Sequence, residues 1–112
     1  MLDFESGPGG LMQLEFFVQA MQMRTGLWET CTLDALARIA LPGDAVRLLA
    51  GSHIFLRQVE TVLRRMDDTP VSRLPTDAVE QGRLARRCGL REAAALHARL
   101  RDARETIRRY AD

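Results

Sequence analysis

The chain has 112 residues, 46% of them hydrophobic, which fits one domain with a modest core and excludes a multidomain assembly within these residues. The net charge is +1, so no global field recruits a polyanion, and no apolar stretch approaches the ~20 residues needed to span a bilayer. The charge is nevertheless uneven: residues 1–80 hold 7 Arg against 11 acids, a net of −4, and residues 81–112 hold 9 Arg against 4 acids, a net of +5. All 16 basic residues are Arg, a usage that GC-rich coding produces without a selected function.

Residues 1–10, "MLDFESGPGG", are acidic and lack the apolar core of a signal peptide. They read as a poorly ordered tail and a Gly-rich helix start, and residues 11–112 as a helical bundle domain. Asp3 and Glu5 have the acid-x-acid spacing of a metal-dependent phosphoryl-transfer strand, but no phosphate-gripping element precedes them, so a solvated tail is the plainer reading. Cys31 and Cys88 form no C-x-x-C, and nothing points to secretion, so free thiols and a cytoplasmic location are expected.

Everything after Gly10 predicts helix, in five pieces, with no period-two alternation to mark a strand. The fold class expected is all-α, a single bundle of about five helices. The first helix runs from about Leu11 to Arg24 and stops before Gly26. Leu14, Phe17, Val18 and Met21 form one apolar flank, and Met12, Phe16, Ala20 and Met23 another. Between them runs a polar strip of Glu15, Gln19 and Gln22. Two apolar flanks predict a central helix with neighbours on both sides, and a strip that something must satisfy.

A short helix follows a Thr32 cap through "LDALARIA" and breaks at Pro42. A long third helix spans about Asp44 to Met66, with Leu48, Phe55, Leu56, Val59, Val62, Leu63 and Met66 on a wide apolar face. His53, Arg57, Glu60 and Arg64 line its polar strip. "DDTPVSRLPT" is a turn-rich connection, the fourth helix covers about Asp77 to Arg87 before Gly89, and the fifth runs from about Arg91 to Tyr110. Phe16, Phe17, Val18, Leu49, Phe55, Leu56, Val59, Leu63, Leu84 and Leu100 are the expected core.

The usual chemistry is missing. A P-loop needs a Lys and this chain has none, and "GPGG" has no strand before it to make a dinucleotide fingerprint. His53, His97, Cys31 and Cys88 lack paired ligand spacing for zinc. Ser52 and His53 are neighbours, which points them about 100° apart on a helix, against a nucleophile–base pair.

"DFESGPGGLMQLEFFVQ", residues 3–19, resembles the segment just after the nucleotidyltransferase core of the glutamine synthetase adenylyltransferase family. That pattern reads Asp-φ-Lys-x-Gly-x-Gly-Gly-φ-x-Asp-φ-Glu-Phe-φ-φ-Gln, with φ apolar. "FLRQVE" at Phe55–Glu60, "RLPTD" at Arg73–Asp77 and "GRLARRCGL" from Gly82 resemble the family's later motifs in order and spacing. The resemblance covers roughly residues 3–90. It implies an all-helical bundle of the kind that follows the catalytic domain, related to one in the uridylyltransferase that modifies the PII protein.

The full family enzyme moves AMP between ATP and a tyrosine of glutamine synthetase with magnesium. Its chemistry uses a Gly-Ser at a helix start and an Asp-x-Asp on a strand. Here the only Gly-Ser, Gly51-Ser52, lies mid-helix, and no Asp-x-Asp occurs. Two positions depart from the pattern: Glu5 replaces the Lys and Gln13 the Asp. A Lys would attract phosphate where Glu5 repels it.

The resemblance therefore implies a helical accessory domain with no catalytic residues of its own, placing a nucleotidyltransferase domain or glutamine synthetase. Gly9, Gly10 and Glu15 would lie at the edge of a nucleotide site, and ATP and magnesium would belong to the full enzyme. No metal ligand, nucleic acid or membrane partner is expected. The alternative is a diverged stand-alone regulatory or protein-binding bundle, and an enzyme active on its own is the least favoured reading. For the polar strips two arrangements stand open. Either Arg57 donates across to Glu15 with Gln19 nearby, or it pairs with Glu60 on its own helix while Glu15 faces a docking surface.

Overall fold

The computed structural model describes residues 10–26, 31–38, 41, 44–67, 75 and 77–111. Among these the chain is all-α, with five helices: α1 Leu11–Thr25, α2 Thr32–Arg38, α3 Ala45–Asp67, α4 Ala78–Arg87 and α5 Ala93–Ala111. The tail expected to be poorly ordered, residues 1–8, lies outside the described residues, as does Gly9.

The helix ends follow the sequence punctuation. Gly10 caps α1 in an extended conformation and its carbonyl accepts the Leu14 N–H at 3.3 Å. Gly26 closes α1 at φ +76, a left-handed turn that favours glycine, with its N–H on the Gln22 carbonyl at 2.8 Å. Thr32 is the first residue of α2 rather than its cap, and Cys31 supplies the carbonyl that accepts the Ala35 N–H. At α4 the Asp77 carboxylate accepts the Val79 N–H at 3.1 Å. Its far end is a Schellman turn: Leu90 N–H reaches the Ala85 carbonyl at 2.8 Å and Gly89 N–H the Arg86 carbonyl at 3.0 Å.

The two longest helices, α3 and α5, make the largest contact in the bundle. Their seam gathers Leu49, Phe55, Leu56, Val59 and Leu63 of α3 with Leu96, Leu100, Ala103 and Ile107 of α5, all buried. Leu84 and Ala85 of α4 close one side of the core, and Ala35 and Leu36 of α2 join it. α1 adds Leu11, Leu14 and Val18, with Phe17 and Met21 packed partly against them.

Eight of the ten expected core residues are buried and Phe17 is partly so, but Phe16 is not in the core. It is 60% exposed, as Met23 is 81% and Met12 45%. α1 is therefore an edge helix, not a central one. It meets α2, α3 and α5 through the Leu11–Leu14–Val18 side, and no described element covers the Met12–Phe16–Met23 side.

Candidate functional site

The polar strips of α1 and α3 meet. Arg57, from the middle of α3, extends its guanidinium between two carboxylates. Nη2 donates to Oε1 of Glu15 on α1, and Nη1 donates to Oε1 of Glu60, one turn along α3, at 2.8 Å. Arg64 approaches the other oxygen of Glu60 at 3.7 Å. Both pairings left open by the sequence form, since Arg57 bridges the helices and pairs within its own, but Glu15 turns to Arg57 rather than to open solvent. Gln19 is exposed and takes no part in the bridge.

The three charges differ in solvent access. Glu60 keeps only 5% of its side chain exposed, Glu15 31% and Arg57 42%. Glu60 is the member that cannot be left alone, because a nearly buried carboxylate without cations would be costly. For Arg57, burial opposes the charge. The hydrogen bond to Glu60 and the fields of Glu15 and Glu60 outweigh that, so the guanidinium is held protonated more firmly than a free one.

His53 sits one turn before Arg57 and is buried. Its Nδ1 is enclosed and makes no hydrogen bond among the described residues. Burial, and then the Arg57 charge, lower its pKa below the ordinary 6.5, against weaker opposite pulls from Glu15 and Glu60. A neutral imidazole is the form this setting favours.

The neighbouring Ser52 donates its hydroxyl to the Leu48 carbonyl at 3.0 Å, so it serves the helix rather than His53. His97 pairs with Gln81 through Nε2 at 2.9 Å. Cys31 is exposed and Cys88 buried, both as free thiols.

Of the three residues expected at the edge of a nucleotide site, Gly10 caps α1 and Glu15 lies one and a half turns later, its carboxylate turned to Arg57. No acidic residue occupies the first turn of α1. The carboxylates of this joint face guanidinium groups rather than one another, which is not a magnesium donor set. Among the described residues no three His, Cys, Asp or Glu gather around a point that could hold a metal. The joint therefore offers no donor set for magnesium.

What the sequence reading missed is that the second apolar flank of α1 faces outward. Met12, Phe16 and Met23 project from it together, away from Leu14 and Val18, with exposed Ala20 among them. The Glu15–Arg57 bridge runs along one border of this face, and holds the helix that carries it.

A family model described as GlnD PII-uridylyltransferase matches residues 2–112. The chain is also 38% identical over 91 residues to the bifunctional glutamine synthetase adenylyltransferase/adenylyl-removing enzyme of Mannheimia haemolytica. That match covers 73% of this chain and 9% of the relative, so the chain spans about a tenth of the length of the curated protein it resembles. With a match over nearly its whole length and an all-helical fold, the chain belongs to the PII-uridylyltransferase and glutamine synthetase adenylyltransferase family, and corresponds to that family's helical region.

Proposed function

We propose that this bundle is a helical accessory domain that places a nucleotidyltransferase domain for AMP transfer to a protein substrate, and performs no bond chemistry itself. One observation carries this reading: the outward face of α1 exposes Met12, Phe16 and Met23 while the same helix is fixed from behind by Glu15, Arg57 and Glu60. Large apolar side chains grouped on one helix face, rimmed by polar ones, mark an interaction surface. A partner gains most from such a face when the helix is already fixed, because less freedom is lost on docking.

Gly10, the cap of α1, leads into that face. With no carboxylate in the first turn, the α1 N-terminus offers backbone N–H groups to the edge of a nucleotide held by the partner domain. Glu15 acts there through Arg57, by holding the helix, and Glu5 keeps phosphate off the tail. ATP and magnesium belong to the partner domain, and glutamine synthetase is its protein substrate. The setting is cytoplasmic. No helix among the described residues is long and apolar enough to cross a membrane, which is compatible with that setting.

The test is calorimetric titration of this chain into the separately produced nucleotidyltransferase domain of the Mannheimia haemolytica relative. Binding is expected, and Phe16→Ser should weaken it at least about tenfold, the loss of ~1.4 kcal/mol. Equal affinity for wild type and Phe16→Ser, or no binding by the wild type, would overturn the reading. Binding to PII-type or other regulatory proteins instead would favour the stand-alone alternative.

A further inference from the structure

Four of the five methionines lie among the described residues, and they divide by exposure. Met21 of α1 and Met66 of α3 pack partly against the core. Met12 and Met23 leave 45% and 81% of their surface in water, on the α1 face that also carries Phe16. Met12 stands four residues before Phe16 and Met23 seven after it, spacings that return to the same side of a helix. One thioether therefore lies on each side of Phe16 along the helix, while a third in α1, that of Met21, turns toward the core.

Exposure decides which of them reacts. A thioether sulfur needs no neighbouring base to meet a hydroperoxide, only access to it. A sulfur lone pair attacks the outer oxygen, and the O–O bond breaks as the S–O bond forms. The sulfur loses two electrons and the peroxide is reduced. The leaving oxygen takes the proton of the transferred hydroxyl and departs as water or an alcohol, and methionine sulfoxide remains.

The product changes what the face can do. The thioether is a flexible apolar group that adapts to a partner surface, whereas the sulfoxide is polar and chiral. In the free chain the new oxygen is hydrated. Under a docked partner it is desolvated, and burying a polar group without a hydrogen bond is costly. Neither Met12 nor Met23 belongs to the core cluster, so oxidation there opposes docking and not folding.

We infer that Met12 and Met23 are oxidation sites, and that a hydroperoxide turns off the docking surface of α1 by converting them to sulfoxides. This regulation rests on the docking role proposed for that face.

The full chain is treated with hydrogen peroxide, freed of it, reduced with dithiothreitol to restore Cys31 and Cys88, and mapped by peptide mass spectrometry. Met12 and Met23 should be converted well before Met21 and Met66. The oxidised chain should keep the urea midpoint of the untreated chain. It should bind the nucleotidyltransferase domain of the Mannheimia haemolytica relative at least about tenfold more weakly in calorimetry. Methionine sulfoxide reductases should restore the affinity. Met12→Leu/Met23→Leu serves as its own reference: whatever its affinity before treatment, peroxide should leave that affinity where it was. Met21→Leu/Met66→Leu, a volume-conserving change, should respond to peroxide as the wild type does. Faster oxidation of Met21 or Met66, unchanged affinity of the oxidised chain, or an equal loss in Met12→Leu/Met23→Leu would each overturn the inference. An untreated chain that fails to bind removes the docking role itself and the switch with it, whereas binding that survives oxidation removes only the switch.

Discussion

The bundle has two seams of opposite character. α3 and α5 meet through aliphatic and aromatic side chains that are almost wholly out of water, whereas α1 meets α3 partly through a half-exposed arginine between two carboxylates. Burial is strong but non-directional, and a core of Leu and Val tolerates sliding and repacking as long as volume is kept. A guanidinium that donates to carboxylates on two helices fixes one rotation and one height. The difference teaches where each is needed. The α3–α5 seam keeps the domain folded. The α1–α3 joint sets which way the exposed Met12–Phe16–Met23 face points.

The largest expected effect breaks the apolar seam. Phe55 is 4% exposed and carries Arg99 over its ring, so Phe55→Ala should destabilise the chain by about 3–5 kcal/mol in urea denaturation. A loss below ~1 kcal/mol would mean that the seam does not hold the fold.

How far each seam was legible in the sequence follows from the same contrast. On α3, Phe55, Leu56, Val59 and Leu63 recur at helical spacing beside a strip of His53, Arg57, Glu60 and Arg64, so one face is plainly inside. α1 has apolar residues nearly all round. Phe16 and Phe17 are chemically identical neighbours, yet one is exposed and the other half-buried. Periodicity reports where apolar residues sit on a helix, not whether a neighbour exists on that side. That depends on the number of helices available, and α2, α3 and α5 all fall on one side of α1. The bridge was foreseeable as two rival pairings, because Glu15 and Glu60 both lie within reach of Arg57. That both form at once depends on the two Nη atoms pointing apart, which only the packed structure fixes.

A smaller effect comes from His53, beside the joint. Its folded pKa lies below the ordinary 6.5 because of burial and then Arg57, so the unfolded chain takes up the proton first as pH falls. The stability linked to His53 is therefore present above 6.5 and declines as pH falls from there toward the lower folded value, below which it levels off. Urea midpoints measured from about pH 7.5 to about pH 5 should fall in wild type, and His53→Leu should flatten part of that fall. An unchanged slope in the variant would assign the pH dependence elsewhere.

The smallest effect lies on the outward face. Phe16→Ser removes a ring that is 60% exposed and should change the stability of the chain by no more than about 0.5 kcal/mol. Thermal melts that show a much larger loss would place Phe16 against the core and remove the docking face.

That α1 is registered by charge as well as by burial is tested most directly by a double-mutant cycle on Glu15→Gln and Arg57→Met, followed by urea denaturation at constant pH and salt. The bridge predicts a coupling above ~1 kcal/mol between the two positions, with Arg57→Met costing more than Glu15→Gln because it also deprives nearly buried Glu60. Additive effects would contradict it, and would leave the orientation of the α1 face to apolar packing alone.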